Sequence, residues 1–175
     1  ELYGLAHRSD FDLTQHSTFS GQKLEYMDQT TGEKVTPHVL EPTFGLDRTV
    51  LVTLLSAYQK ESVDDGERVV LKFPPRIAPI KVAVFPLMRN KPELVEKART
   101  IFDDLSKHVP QVVWDDNGNV GKRYRRQDEV GTPFCITVDF DTLEDDTVTV
   151  RDRDTMQQER IPQQELVSFI LEKIA

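Results

Sequence analysis

From residue 80 onward, strand-like and helix-like segments alternate, and this order constrains the fold more than any other feature of the chain. Strand-like runs lie at 81–87, 111–114, 134–140, 147–151 and 159–161. Helical spacing of apolar residues follows Pro92 and Pro162, and a short, mostly basic helix is expected at 120–129. The resulting βαβαββα order predicts an α/β fold with a mixed five-stranded sheet flanked by helices.

The two longer helices of this region each carry an apolar stripe that should face the sheet. The stripe of the first comprises Leu94, Val95, Ala98, Ile101, Phe102 and Leu105. That of the last comprises Leu166, Phe169, Ile170 and Ile174. These residues form the predicted core.

The first part of the chain ends in a strand, a turn and a helix. Residues 37–44 are strand-like, and apolar residues at helical spacing predict a helix over 47–60. Residues 59–67 are polar and turn-rich, a short strand is expected at 69–73, and Pro74, Pro75 and Pro79 then interrupt regular structure. We therefore expect one region at 1–60, a connection at 61–79 and a second domain at 80–175.

Charge and cysteine content limit the classes of function. A net charge of −8 argues against nonspecific binding of nucleic acid, but residues 122–126 (Lys-Arg-Tyr-Arg-Arg) form a local basic cluster that could still contact RNA. One cysteine excludes an internal disulfide and a multi-cysteine zinc site, which favours a reducing, cytoplasmic location. Cys135 lies in an apolar strand-like run, so we expect a buried, inert thiol.

Two further features of the sequence concern membrane association and the start of the chain. No apolar run is long enough to cross a bilayer, so no membrane association is predicted. The sequence opens on Glu1-Leu2-Tyr3-Gly4, which is typical of the middle of a strand. We expect that the chain was cut from a longer protein.

Arg48 has the surroundings that suit an anionic ligand. It lies at the start of the predicted helix and follows Gly45, which allows a close approach of the backbone. An arginine in this place can hold a polyphosphate. An ion pair with Asp47 or Glu41 on the helix surface is the alternative that the residues alone leave open.

Three stretches of sequence carry a family resemblance. Residues 1–6 read Glu-Leu-Tyr-Gly-Leu-Ala, and residues 41–48 read Glu-Pro-Thr-Phe-Gly-Leu-Asp-Arg. The third stretch is residues 121–134, and residues 150–156 further along the chain carry the same family resemblance. Together they resemble the class II glycyl-tRNA synthetases of the homodimeric bacterial and eukaryotic type, and residues 41–48 resemble their motif 3. The similarity extends almost unbroken to Ile174.

The resemblance implies that residues 1–60 are the C-terminal part of a class II catalytic domain, antiparallel strands followed by the motif 3 helix. It implies Arg48 as the catalytic residue that stabilises phosphate charge. It implies contacts with ATP by Glu1, Leu2, Gly45, Leu46, Asp47 and Arg48. It implies contacts with glycine by Glu1, Glu41, Pro42, Thr43, Phe44 and Gly45. Thr43 departs from the serine common in the family but keeps the hydroxyl.

The resemblance also implies that residues 80–175 are an anticodon-binding domain. Sequence-specific readers of RNA stack on unpaired bases and donate hydrogen bonds to their edges. The predicted contacts are Arg123, Arg125, Arg126, Gln127, Arg151 and Arg153. Ion pairs are the structural alternative: Arg125 can pair with Asp128 or Glu129 on the helix. Arg151 and Arg153 alternate with Asp152 and Asp154 and can form a ladder of charges on the surface.

The function implied is a glycine–tRNA ligase that uses ATP, with Mg²⁺ accompanying ATP, and with glycine, tRNA(Gly) and a second subunit as partners. No protein metal ligands are predicted. The family's motifs 1 and 2 are absent, so we expect these 175 residues alone to be inactive. A non-catalytic binding protein on the same scaffold, like the accessory subunit of the mitochondrial DNA polymerase, is the main alternative. A class II synthetase for another amino acid is a weaker one.

Overall fold

The computed structural model describes residues 1–63 and 66–175, which divide into two compact units, Glu1–Val52 and Thr53–Ala175. The sequence placed the end of the first region near residue 60. Among the described residues, no helix is long and apolar enough to span a membrane.

The first unit is built on one antiparallel strand pair. Strand β1 (Tyr3–Ser9) pairs with β4 (Val39–Phe44), and helix α1 (Phe11–Ser20) follows β1. Two short strands, β2 (Tyr26–Met27) and β3 (Lys34–Val35), form a small ladder of their own. Helix α2 (Leu46–Ala57) begins directly after β4. The predicted strand, turn and helix are therefore present.

The first unit has no core of its own, since none of its residues is buried. Large apolar side chains are exposed instead, with Leu5 80% and Phe19 86% accessible. A two-stranded sheet is marginally stable unless further strands or helices cover it. Residues 1–52 are therefore stabilised by few contacts of their own.

The second unit contains the predicted mixed sheet of five strands. Their order is β11-β10-β9-β7-β8. The strands are β7 (Val82–Pro86), β8 (Val112–Trp114), β9 (Phe134–Val138), β10 (Thr147–Asp152) and β11 (Gln158–Pro162). β7 runs parallel to β8 and β9, whereas β10 runs antiparallel to β9 and β11.

Helices cover both faces of this sheet. α3 (Pro92–His108) and α6 (Gln163–Ile174) pack on one face and bury Leu94, Ile101, Leu105, Leu166 and Ile170 as predicted. α4 (Val120–Val130) covers the other face, where Val120 and Tyr124 pack on Ala83, Phe85 and Cys135. Cys135 is buried as expected, and burial raises the pKa of its thiol.

A short helix, α5 (Phe140–Asp145), was not predicted. The expected strand 134–140 stops at Val138, because Asp139 begins the helix with a reciprocal cap in which it and Thr142 each accept from the other's backbone N–H. Its six residues are too few to produce a readable helical period.

The helix predicted over 47–60 ends at Ala57. The segment expected to connect the two regions contains two paired strands, of which the second overlaps the short strand expected at 69–73. Its strands are β5 (Tyr58–Val63) and β6 (Gly66–Leu71), with Glu61 opposite Arg68. Strand β5 was missed because it is mostly polar, and its cross-strand ion pair between Glu61 and Arg68 leaves no hydrophobic periodicity.

Candidate functional site

The strand pair of the first unit brings the two ends of the predicted ligand motif together. Gly4 on β1 lies opposite Thr43 on β4. The Gly45 N–H donates to the Leu2 carbonyl at 2.8 Å, and Arg48 Nη1 donates to the Glu1 carbonyl at 2.7 Å. Residues far apart in sequence therefore meet where β4 ends and α2 begins.

Gly4 has no room for a side chain. A Cβ there would lie 2.6 Å from the Thr43 hydroxyl oxygen and 2.9 Å from a Glu1 carboxylate oxygen. The carboxylate and the hydroxyl thus converge over the bare backbone of β1. Together they form a small polar surface beside Gly4.

The charged residues beside this surface have defined partners. Glu41 lies 3.2 Å from Arg8, whose guanidinium also binds Asp12. The hydrogen bond that Arg8 donates lowers the pKa of Asp12. Arg48 makes no ion pair with Asp47 or Glu41 among the described residues, so the surface-pair alternative is not what this structure contains.

The remaining predicted ligand residues of this unit are accessible. Pro42, Phe44, Leu46 and Asp47 are all exposed. Within residues 1–63 and 66–175, no group of three or more His, Cys, Asp or Glu side chains is arranged to hold a metal ion.

In the second unit, a groove of about 270 Å³ lies between α4, β10 and the β5–β6 hairpin. Its lining includes Val63, Gly121, Tyr124, Arg125, Arg151 and Met156, with Arg68 at its base. The groove therefore combines an aromatic ring, two apolar side chains and guanidinium groups. These are the groups that bind unpaired bases of RNA.

Arg151 is fixed inside the groove. Its guanidinium lies 4.8 Å from the centre of the Tyr124 ring and donates to both carboxylate oxygens of Asp128, at 2.9 and 3.2 Å. Burial works against the charge of Arg151, but the Asp128 carboxylate outweighs it and the pKa is raised. The groove thus presents a permanent positive charge.

Tyr124 is held as a neutral ring. Its hydroxyl makes a 2.7 Å hydrogen bond with Thr137, and burial raises the pKa of the phenol. Because both ends of the side chain are fixed, the ring can serve as a stacking surface that needs no rearrangement.

Arg125 and Arg126 are half-buried on α4. Arg125 Nη1 donates to the Glu67 carbonyl of the hairpin at 3.1 Å. Arg126 binds both carboxylate oxygens of Asp115 and the Asn117 carbonyl. The Arg126 side chain is nevertheless 42% exposed.

Three of the predicted RNA contacts are instead committed to internal bonds. Arg123 is 1% exposed and donates to the carbonyls of Pro86, Asp116 and Gly118. Arg153 is 2% exposed and donates to the Gly131 and Phe73 carbonyls. Gln127 is buried and accepts from the Thr132 hydroxyl. Buried guanidinium groups here satisfy carbonyls at element ends, which the sequence pattern could not distinguish from RNA contacts.

Comparison with known proteins identifies the second unit. The family model described as the anticodon binding domain matches residues 81–173. This chain belongs to the anticodon-binding domain family. Its mixed sheet and covering helices are the fold of that domain.

Curated relatives match beyond the anticodon-binding domain. The chain is 50% identical over 175 residues to the glycine–tRNA ligase of Clostridium acetobutylicum, and 52% identical over 174 residues to those of Lachnospira eligens and Chlorobaculum tepidum. Each alignment covers 99% of this chain and 37% of the relative. The chain thus spans little more than a third of the length of these relatives.

The anticodon-binding domain also has a second recess, whose polar residues were not predicted as RNA contacts. Arg89, Asn90, Asn117 and Asn119 line a recess of about 480 Å³ beyond the ends of β7 and β8. Asn119 caps α4 by accepting from the Lys122 N–H at 2.9 Å. Its position before a helix was the only available signal.

Arg68 and Asp128 were also missed. Arg68 lies in the segment expected to be a connection, and Asp128 was considered only as an ion-pair partner on the helix. The structure joins them at 3.2 Å although 60 residues separate them, so no local pattern could reveal the pair.

Proposed function

We propose that this chain is part of a glycine–tRNA ligase, which attaches glycine to tRNA(Gly) through glycyl-adenylate at the expense of ATP. The observation that carries the proposal is identity of 50–52% to ligases of that name across 99% of this chain. In the proposed enzyme, the anticodon-binding domain holds the anticodon end of the tRNA.

The groove is the proposed site of RNA contact. Tyr124 and Met156 offer surfaces on which a base can stack, and Arg125 and Arg151 offer donors for base edges or phosphates. Arg126 lies on the same helix and extends the positive surface. Base–aromatic stacking contributes about 1–3 kcal/mol per base, enough for one ring to matter.

The polar surface around Gly4 supports a role in binding glycine. Glu1 and Thr43 meet there, and Glu41 adds a second carboxylate held by Arg8. Carboxylates suit an ammonium group, and a site with no free volume excludes larger amino acids by clash. We assign glycine contact to this set together with Pro42, Phe44 and Gly45.

Arg48 is the proposed catalytic residue. One nitrogen is bound to the Glu1 carbonyl, which orients the guanidinium beside the start of α2 and leaves other N–H groups to bind phosphate. Glu1, Leu2, Gly45, Leu46 and Asp47 would shape the ATP seat. Mg²⁺ would enter with ATP and neutralise phosphate charge. Because the described residues contain no group of three or more His, Cys, Asp or Glu side chains that could hold a metal ion, the phosphates would supply most of its ligands.

The chain alone is proposed to be inactive, because its first unit buries none of its residues. The complete enzyme would act in the cytoplasm as a homodimer. Glycine-dependent pyrophosphate exchange by these 175 residues would contradict the proposal that the chain alone is inactive. Retention of Glu41, Thr43 and Arg48 favours a ligase over a non-catalytic binding subunit, which has no use for them.

The RNA proposal is tested with a fluorescent stem-loop carrying the tRNA(Gly) anticodon and a second stem-loop with the anticodon bases exchanged. We expect the chain to bind the first more tightly, and Arg125→Ala to weaken it on the order of tenfold, the effect of losing one charge-assisted contact. Arg76→Ala is the matched control, since Arg76 is an exposed arginine that does not line the groove. Equal affinity of the wild type for both stem-loops would refute the proposal.

A further inference from the structure

The β5–β6 hairpin contains a charged residue in an unusual place. Arg68 is 1% exposed although it lies on a two-stranded ribbon. Its guanidinium binds Glu61 across the hairpin at 2.5 Å, Asp128 of α4 at 3.2 Å and the Arg153 carbonyl at 2.8 Å. Arg68 therefore ties the hairpin to α4 and to the end of β10.

The same Asp128 carboxylate holds Arg151. Asp128 is 0% exposed; both of its carboxylate oxygens accept from Arg151, and Oδ2 also accepts from Arg68. Without Arg68, the Asp128 carboxylate would keep its two bonds to Arg151 but would lose the bond that ties it to the hairpin. The direction in which Arg151 presents its remaining donors thus depends on Arg68.

The hairpin also fixes the other arginine of the groove. Arg125 donates to the carbonyl of Glu67, and Glu67 directly precedes Arg68 in the hairpin. Val63, at the end of β5, forms part of the groove wall. Both groove arginines are consequently oriented by one element, and that element lies outside residues 81–173.

The energetics favour a role in orientation over one in stability. Burying a guanidinium and a carboxylate costs several kcal/mol per ion, and apolar residues of similar size would commonly serve stability as well or better. A fixed guanidinium network instead loses little conformational entropy when it meets a ligand. Arg151 Nε has no partner among the described residues, so it is available to donate.

We propose that the β5–β6 hairpin positions Arg125 and Arg151 for reading the anticodon, and that Arg68 is the positioning residue through which it acts on Arg151. The inference rests on the proposed function of the groove. Arg68 does not touch RNA in this account. Its effect is on discrimination between anticodons, because misdirected donors can still attract phosphates but no longer match the acceptor edge of a base.

The test compares Arg68→Lys with Arg76→Lys, which makes the same exchange at an exposed arginine outside the groove. The 175-residue chain is titrated with the two stem-loops described above, and the ratio of the two dissociation constants is recorded. Lysine keeps the charge but cannot bridge Glu61, Asp128 and the Arg153 carbonyl together. We expect Arg68→Lys to lower the ratio on the order of tenfold, and Arg76→Lys to leave it unchanged.

The ratio separates positioning from simple loss of folded protein. A smaller folded fraction weakens apparent binding of both stem-loops equally and leaves the ratio constant. Folded Arg68→Lys protein, judged by the fluorescence of the single tryptophan Trp114, that discriminates as well as the wild type would overturn the proposal. Failure of the wild type to discriminate would instead overturn the proposed function.

Glu61→Gln provides a second variant if Arg68→Lys does not fold. It removes the charge that anchors Arg68 at the hairpin but keeps an oxygen acceptor and the side-chain shape. A partial loss of discrimination is expected. An unchanged ratio in this folded variant would also overturn the proposal.

Discussion

Gly131 offers a direct measure of how tightly the segment after the hairpin packs on the anticodon-binding domain. It ends α4 with a φ of 88°, and a Cβ added there would lie 2.6 Å from Phe73 Cδ2 and 2.7 Å from the Leu71 carbonyl oxygen. Gly131→Ala therefore combines backbone strain of about 1–2 kcal/mol with an overpacking cost of about 1–3 kcal/mol. We expect a loss of about 2–5 kcal/mol in the free energy of unfolding.

Gly118→Ala is the matched control, since Gly118 has a φ of 73° but its added Cβ would meet nothing closer than Lys122 Cδ at 3.8 Å. It should cost only the strain, about 1–2 kcal/mol. Urea titration followed by Trp114 fluorescence measures both variants in the second unit. Losses that agree within about 0.5 kcal/mol would refute the close approach of Leu71 and Phe73 to α4.

Three further predictions concern pH, thiol chemistry and local stability. The hydrogen bond from Lys72 lowers the pKa of Glu61, so its carboxylate stabilises the fold above the ordinary glutamate pKa of about 4.3 and loses that effect as pH falls. The gap in urea midpoint between wild type and Glu61→Gln should therefore narrow from pH 7 to pH 3, and a constant gap would refute this. Cys135 should react with a maleimide only at the rate of unfolding, so rapid modification of native protein would show that the thiol is accessible. Backbone amides of residues 1–52 should exchange faster than those of the central sheet, and equal protection would contradict the absence of a core in the first unit.

The five-stranded sheet was predictable because its strands and helices bury apolar residues at regular intervals. Val82, Val84, Ile136, Val148 and Val150 are all buried in the core, as β-branched runs bounded by turns suggest. The same principle failed for the hairpin, whose first strand is held by charge. Hydrophobic periodicity indicates which apolar side chains are buried, so it cannot predict a strand whose cross-strand contacts are ion pairs.

The candidate site was predictable in part for a similar reason. The pairing of β1 with β4 brings Gly45 and Arg48 of the motif at 41–48 to the residues preceding β1. The arginines of the second unit depend on partners that are distant in sequence, such as the Pro86 carbonyl for Arg123, 37 residues away. A basic cluster can therefore indicate a nucleic-acid interface, but the structure was needed to separate half-buried arginines such as Arg125 and Arg126 from buried ones such as Arg123, which bind carbonyls.

The central claim is that the groove between α4, β10 and the hairpin receives the anticodon loop. Hydrogen exchange of the chain with and without the tRNA(Gly) anticodon stem-loop tests it most directly. We predict slower exchange in peptides covering the start of α4 at 120–125 and the turn at 153–157, with no change in α3 or α6. Protection confined to α3 and α6, or to residues 1–52, would contradict the account.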